Sequence, residues 1–175
     1  MDQDQICAEL DRVRHDFREL LDTATVADLR QPTEGTKWTN EQLLFHMLFG
    51  YLLVRNLRFL VKGFSHLPVA ASMRFAALLN AGTPQFHVVN YVGSLFGARV
   101  LGYARIERLM DRVLSSLQSS VRAEPETALD RGMHFPIGWD PYFKDYMTLR
   151  EVYHYATQHY DHHRRQLTLA GAARN

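Results

Sequence analysis

The sequence predicts an all-α fold: four main helices, with an additional helical connection between the second and third, in one domain over residues 1–175. Three observations predict it. Apolar residues recur at three- and four-residue steps through long stretches of the chain. Two capping boxes, Thr39 with Gln42 and Thr148 with Glu151, open helices. No segment shows a convincing two-residue alternation of the kind a half-buried strand requires.

The first helix is expected over about residues 3–23, where Ile6, Leu10, Val13, Phe17 and Leu20 form one stripe. Pro32 and Gly35 then make "QPTEGTKW" a turn. The second helix starts at Thr39 and runs to about Lys62, with Gly63 as its stop. Leu43, Phe49, Leu53, Leu57 and Leu60 share a face on it, and His46 interrupts that face. A short helix is expected around 69–80. Thr83 as cap and Pro84 in the first turn begin a long helical stretch to about Val121, in which Gly93, Gly97 and Gly102 offer kinks or close approaches. Residues 122–147 read as mostly irregular. Their aromatic run, "RGMHFPIGWDPYFKDYM", suggests an ordered loop over one end of the bundle. The last helix is expected from Thr148 to about Ala170, with Gly171 beyond it.

Composition narrows the function. The 175 residues are 46% hydrophobic and 22% charged, with a net charge of +1, so no bulk electrostatic field recruits nucleic acid. Cys7 is the single cysteine, which rules out an intrachain disulfide and points to a reducing, cytoplasmic setting. The N-terminus is too charged for a secretory signal. The apolar run "VVNYVGSLFGARVLGYA" contains Asn90 and Arg99 and reads as a buried helix, not a membrane span, so no membrane partner is expected. The apolar segment 75–101 leaves a homodimer possible.

Histidine spacing supplies the candidate chemistry. In "QHYDHHRRQL", residues 158–167, His159 and His163 lie four apart and so share one helix face. Val152, Tyr155, Ala156, Gln166 and Ala170 fall in the same core-directed arc. Asp161, Arg164, Arg165 and His154 point the other way, and His162 sits at the border. Two inward imidazoles supply two nitrogens to a transition metal, and His46 is the best third ligand. Taken singly, each of these is more often a hydrogen-bonded core residue than a ligand. The H-E-x-x-H zinc-protease pattern is absent, because Tyr160 stands where its glutamate belongs.

Two stretches together carry a resemblance. "WTNEQLLFHM", residues 38–47, and "TQHYDHHRRQL", residues 157–167, resemble the second and last helices of the DinB-like (DinB/YfiT) family, and "LRQPTEGTKW" before the first fits as well. The chain departs from that pattern at Arg165, where glycine is frequent, and in its long aromatic loop. The resemblance implies a four-helix bundle with a long crossover and a divalent metal, zinc or nickel most often, on His46, His159 and His163. It also implies a small-molecule substrate, with a low-molecular-weight thiol as cosubstrate of a transferase or isomerase. Hydrolysis stands behind that reading, and a non-catalytic metal- or ligand-binding bundle, or a helical interaction module, are the alternatives. Within the expected cavity, His134 and Tyr155 are the candidate catalytic groups, Trp139 and Tyr142 are packing residues first, and Asp140 caps a turn before Pro141. Because only neutral imidazole ligates, metal release is expected as pH falls below about 6.5.

Overall fold

A computed structural model describes residues 1–169. The elements in order are α1 (Gln3–Thr23), α2 (Val26–Arg30), α3 (Asn40–Phe64), α4 (Val69–Ala81), α5 (Thr83–Leu101), α6 (Tyr103–Ala123), a 3-10 turn (Glu126–Asp130), β1 (Gly132–His134), β2 (Tyr146–Thr148) and α7 (Leu149–Arg164). α1, α3, α6 and α7 make the bundle: α1 packs on α6 and α7, and α3 packs on the same two. α4 and α5 form the connection between α3 and α6, with α5 laid along the outside of α3.

The stripes seen in the sequence are the core. Ile6, Leu10, Val13, Phe17 and Leu20 of α1 are all buried, as are Ile106, Met110, Val113, Leu114, Leu117 and Val121 of α6. Each such side chain removed from water stabilises the fold by about 1.5–3 kcal/mol. Among the described residues, α3 alone is long and apolar enough to cross a membrane by length and composition, yet 56% of that window is buried inside the protein. Its apolar character is that of the bundle's central helix.

Several expectations are corrected. The long stretch from 83 is two helices, because Gly102 adopts φ 66° and turns the chain between α5 and α6. Gly82, not Thr83, precedes the first residue of α5. Gly63 lies inside α3, which closes at Ser65. The short α2 carries its own capping box, Thr25 with Asp28. The irregular region contains a two-stranded hairpin pairing Met133 with Met147, which anchors the aromatic loop at both ends.

α7 stops at Arg164, well before Ala170 and Gly171, which lie outside the described residues. The segment after it is tied to the entry of α3 instead. The Gln166 carbonyl accepts from Glu34 N–H at 2.9 Å, and Thr168 N–H donates to Asn40 Oδ1 at 3.0 Å. These bonds replace the helical bonds that continuation would have made.

The apolar run expected to be buried is instead half exposed. Val88, Val89, Phe96 and Val100 of α5 are 62–68% exposed. Its inward residues are the small ones, Ser94 and Ala98, and Gly97 faces the ring of Phe45. Close approach of α5 to α3 needs small side chains at the contact, which leaves the large ones outside.

Candidate metal centre

His46 is presented by α3, and His159 and His163 by α7, which packs directly on α3. His46 and His159 are 3% and 5% exposed, and His163 is half-buried. Ring centroids lie 4.9 Å apart for His46–His159, 4.6 Å for His46–His163 and 4.6 Å for His159–His163. One nitrogen from each lies within 4.8 Å of the other two. The three residues selected by helix periodicity therefore converge.

Each ring is held from behind at Nδ1. The Asp140 Oδ2 atom is 2.9 Å from His159 Nδ1, Gln166 Oε1 is 2.7 Å from His163 Nδ1, and Ser94 Oγ is 3.4 Å from His46 Nδ1. The carboxylate and amide oxygens only accept. The Ser94 hydroxyl donates to the Asn90 carbonyl at 2.8 Å, so its oxygen also faces His46 as an acceptor. All three rings thus carry their proton on Nδ1 and turn Nε2 lone pairs inward. This tautomer follows from the hydrogen-bond partners.

The inner side is then short of positive charge. His46 Nε2 lies 3.1 Å from His163 Nε2, and His159 Nε2 is buried without a hydrogen-bond partner. Two lone pairs at that distance repel unless a proton or a cation lies between them. A proton is disfavoured: burial, then the neighbouring imidazoles, lowers the His46 pKa to about 2, and burial, then His159, lowers that of His163 to about 3. Two nitrogens bound at 2.0–2.1 Å to one tetrahedral ion stand about 3.3–3.4 Å apart, close to the spacing seen. The donor set and the unpartnered nitrogen therefore fit a divalent transition ion, and His46, His159 and His163 could hold one.

Asp140 does two jobs in the loop. Its Oδ1 accepts from Tyr142 N–H at 2.9 Å, closing the turn expected of it. Its Oδ2 accepts from His159 and, at 3.1 Å, from the Tyr155 hydroxyl. Burial opposes its charge, but His159, the Tyr142 amide and the Tyr155 hydroxyl outweigh that and keep its pKa below the usual carboxylate value. The orienting roles of Asp140, Gln166 and Ser94 were not legible in the sequence. Their partners lie 19 residues away, three residues away beyond the end of a helix, and 48 residues away.

Beside the rings is a small cavity of about 20 Å³, lined by His46, His159, Asn90, Asp140, Tyr155 and Trp139 among others. Asn90 Oδ1 is also buried and unpartnered. Trp139 covers this space by stacking on Phe86, with centroids 4.0 Å apart and planes 7° apart, and its indole N–H donates to the Leu79 carbonyl at 3.1 Å. The Trp38 ring packs on His46 with centroids 4.4 Å apart and planes tilted by 30°. Tyr155 lines the cavity and donates a hydrogen bond to Asp140. His134 does not line it. That ring pairs with Asp145 at 3.2 Å on the hairpin. His162 meets the Tyr142 hydroxyl at 3.2 Å, and His154 meets Glu9 at 3.0 Å.

A family model described as the DinB superfamily matches residues 9–167. No curated protein and no solved structure gives a significant match.

Proposed function

This chain belongs to the DinB superfamily, and from that premise we propose that it is a divalent-metal protein, zinc or nickel held by His46, His159 and His163, acting as a transferase or isomerase with a low-molecular-weight thiol. The observation that carries the metal reading is the meeting of His46 and His163 Nε2 at 3.1 Å beside the unpartnered His159 Nε2. When bound, the ion supplies Lewis acidity and lowers the pKa of a thiol brought to it.

The chain's own residues prepare that chemistry. Asp140 holds His159 in one tautomer and one orientation. Burial, then the Asp140 charge, pushes the Tyr155 pKa well above its usual value, so its hydroxyl stays protonated and acts as a donor, not a base. Trp139 and Phe86 stack together in the wall of the small cavity beside the rings. Cys7 is buried on α1 and offers no thiol at the cavity, so the thiol comes as cosubstrate. Neither His134 nor any other residue of the hairpin strands faces the rings.

The size of the cavity favours a second reading. About 20 Å³ admits one water-sized body, so without movement of Trp139 the bundle holds its ion and turns nothing over. Elemental analysis after chelator-free purification tests both readings, with about one ion per chain expected; no metal uptake by the folded protein overturns both. Titrating the cobalt-loaded protein with glutathione or mercaptoethanol separates them. A sulfur-to-cobalt charge-transfer band supports the thiol enzyme, and its absence leaves a metal-holding bundle.

A further inference from the structure

We propose that the outer face of α5, with the cations around it, docks on an anionic phospholipid bilayer. Residues 42–106 contain six arginines and lysines and no aspartate or glutamate. A chain of net charge +1 therefore divides into a segment of +6 and a remainder of −5, an asymmetry of the kind that marks anionic partners. The same segment carries the inside-out helix. Val88, Val92, Phe96 and Val100 recur at four-residue steps with Val89 beside them, and all five are 38–68% exposed, whereas soluble monomers rarely expose a contiguous apolar patch of more than a few hundred Å².

Arg99 is exposed between Phe96 and Val100, Arg105 is exposed just past Gly102, and Arg74 is exposed on α4. Among the described residues no ion pair reaches any of the three, whereas Arg12, Arg14, Arg18 and Arg150 all face carboxylates. Glu41, just before the segment, shares a surface cleft with Phe96 and Arg99 but pairs with neither. An apolar helical stripe that carries the exposed Arg99, with exposed Arg74 and Arg105 on the helices before and after it, matches a bilayer interface, where hydrocarbon takes the stripe and lipid phosphates take the arginines. A second copy suits it less well. A two-fold contact through α5 would bring the cations of both copies together, with Glu41 as the one carboxylate in the adjoining cleft.

The inner face of the same helix carries Ser94, which backs His46. The proposed docking helix is therefore a wall of the metal centre, although the proposal does not depend on a metal being present.

Sedimentation of the full chain with vesicles of phosphatidylcholine and phosphatidylglycerol, against phosphatidylcholine alone, tests this. Binding is expected to the anionic vesicles and to weaken strongly at about 0.5 M salt. Arg74→Gln and Arg99→Gln should each weaken it by about fivefold, and Phe96→Ser by about tenfold or more. Helix content by circular dichroism serves as the folding control; should Phe96→Ser misfold, the two arginine variants decide alone. No binding by the folded chain, or equal binding to both vesicle types, overturns the proposal. So does a dimer in solution that Phe96→Ser splits while vesicles are ignored, which would give the face to a second copy.

Discussion

Nδ1 of His159 stands 2.9 Å from Oδ2 of Asp140, with the two side chains only 6% and 11% exposed. This contact joins the last bundle helix to the loop between the two strands. It fixes which nitrogen of His159 faces His46 and His163, so the aromatic loop helps build the centre as well as covering it.

Asp140→Asn should therefore weaken metal binding by about 10–100-fold, the usual effect of removing a carboxylate behind a ligating imidazole. Competition with a chromophoric chelator measures it. Unchanged affinity would mean that the carboxylate serves the turn at Tyr142 alone.

His46→Ala and His163→Ala should each take the preparation from about one ion per chain to a small fraction of that, since two imidazoles do not hold a transition ion tightly. Elemental analysis reads it directly. The variants should remain helical, because the bundle's apolar core does not depend on these rings. A triple His46/His159/His163 replacement that retains stoichiometric metal would place the ion elsewhere.

Gly50 lies one turn after His46 on α3, and a Cβ there would meet His159 Cδ2 at 2.8 Å. Gly50→Ala should push that ring off its position and lower metal affinity at least tenfold. The cost in stability should be about 1–3 kcal/mol, as for other overpacked sites. Thermal unfolding with and without metal separates the two effects: the metal-induced rise in Tm should shrink more than the Tm of the metal-free chain.

Acid should act through His46 and His163. Burial holds them near pKa 2 and 3 in the folded chain, whereas unfolded histidines titrate near 6.5. Below about 6.5 the unfolded state binds more protons, so stability falls with pH and goes on falling until the folded values are reached. For the metal-free chain these two groups contribute a slope of at most about 2.7 kcal/mol per pH unit. This revises the expectation of metal release near pH 6.5. The ion should stay bound at about pH 5.5 and leave together with the helical signal on further acidification. Release near 6.5 from a fully helical chain would contradict it.

Trp139→Ala should unstack Phe86 and open the cavity beside the rings. Metal exchange with a chelator should then accelerate while equilibrium affinity changes little, because none of the three ligands is touched. Stopped-flow chelation resolves this, and equal exchange rates would show that Trp139 is not the barrier.

The helical class, the stripes of α1 and α6, the capping boxes at Thr39 and Thr148, and the three inward histidines can all be read from the order of residues alone. Each of these depends on residues within one or two turns of each other, where helical spacing alone decides which side chains share a face. The family follows from the same short stretches. Whatever depends on the direction in which helices approach one another needed the folded chain. Asp140 read as a turn residue because its second partner is on another helix. The apolar run of α5 read as buried because hydropathy records how apolar a segment is, not which of its sides meets α3. There the contact takes the small residues Ser94 and Ala98 and leaves Phe96 and its neighbours outside. α7 ends at Arg164 because the segment after it finds hydrogen-bond partners at Glu34 and Asn40, and no local signal competes with bonds made across more than a hundred residues.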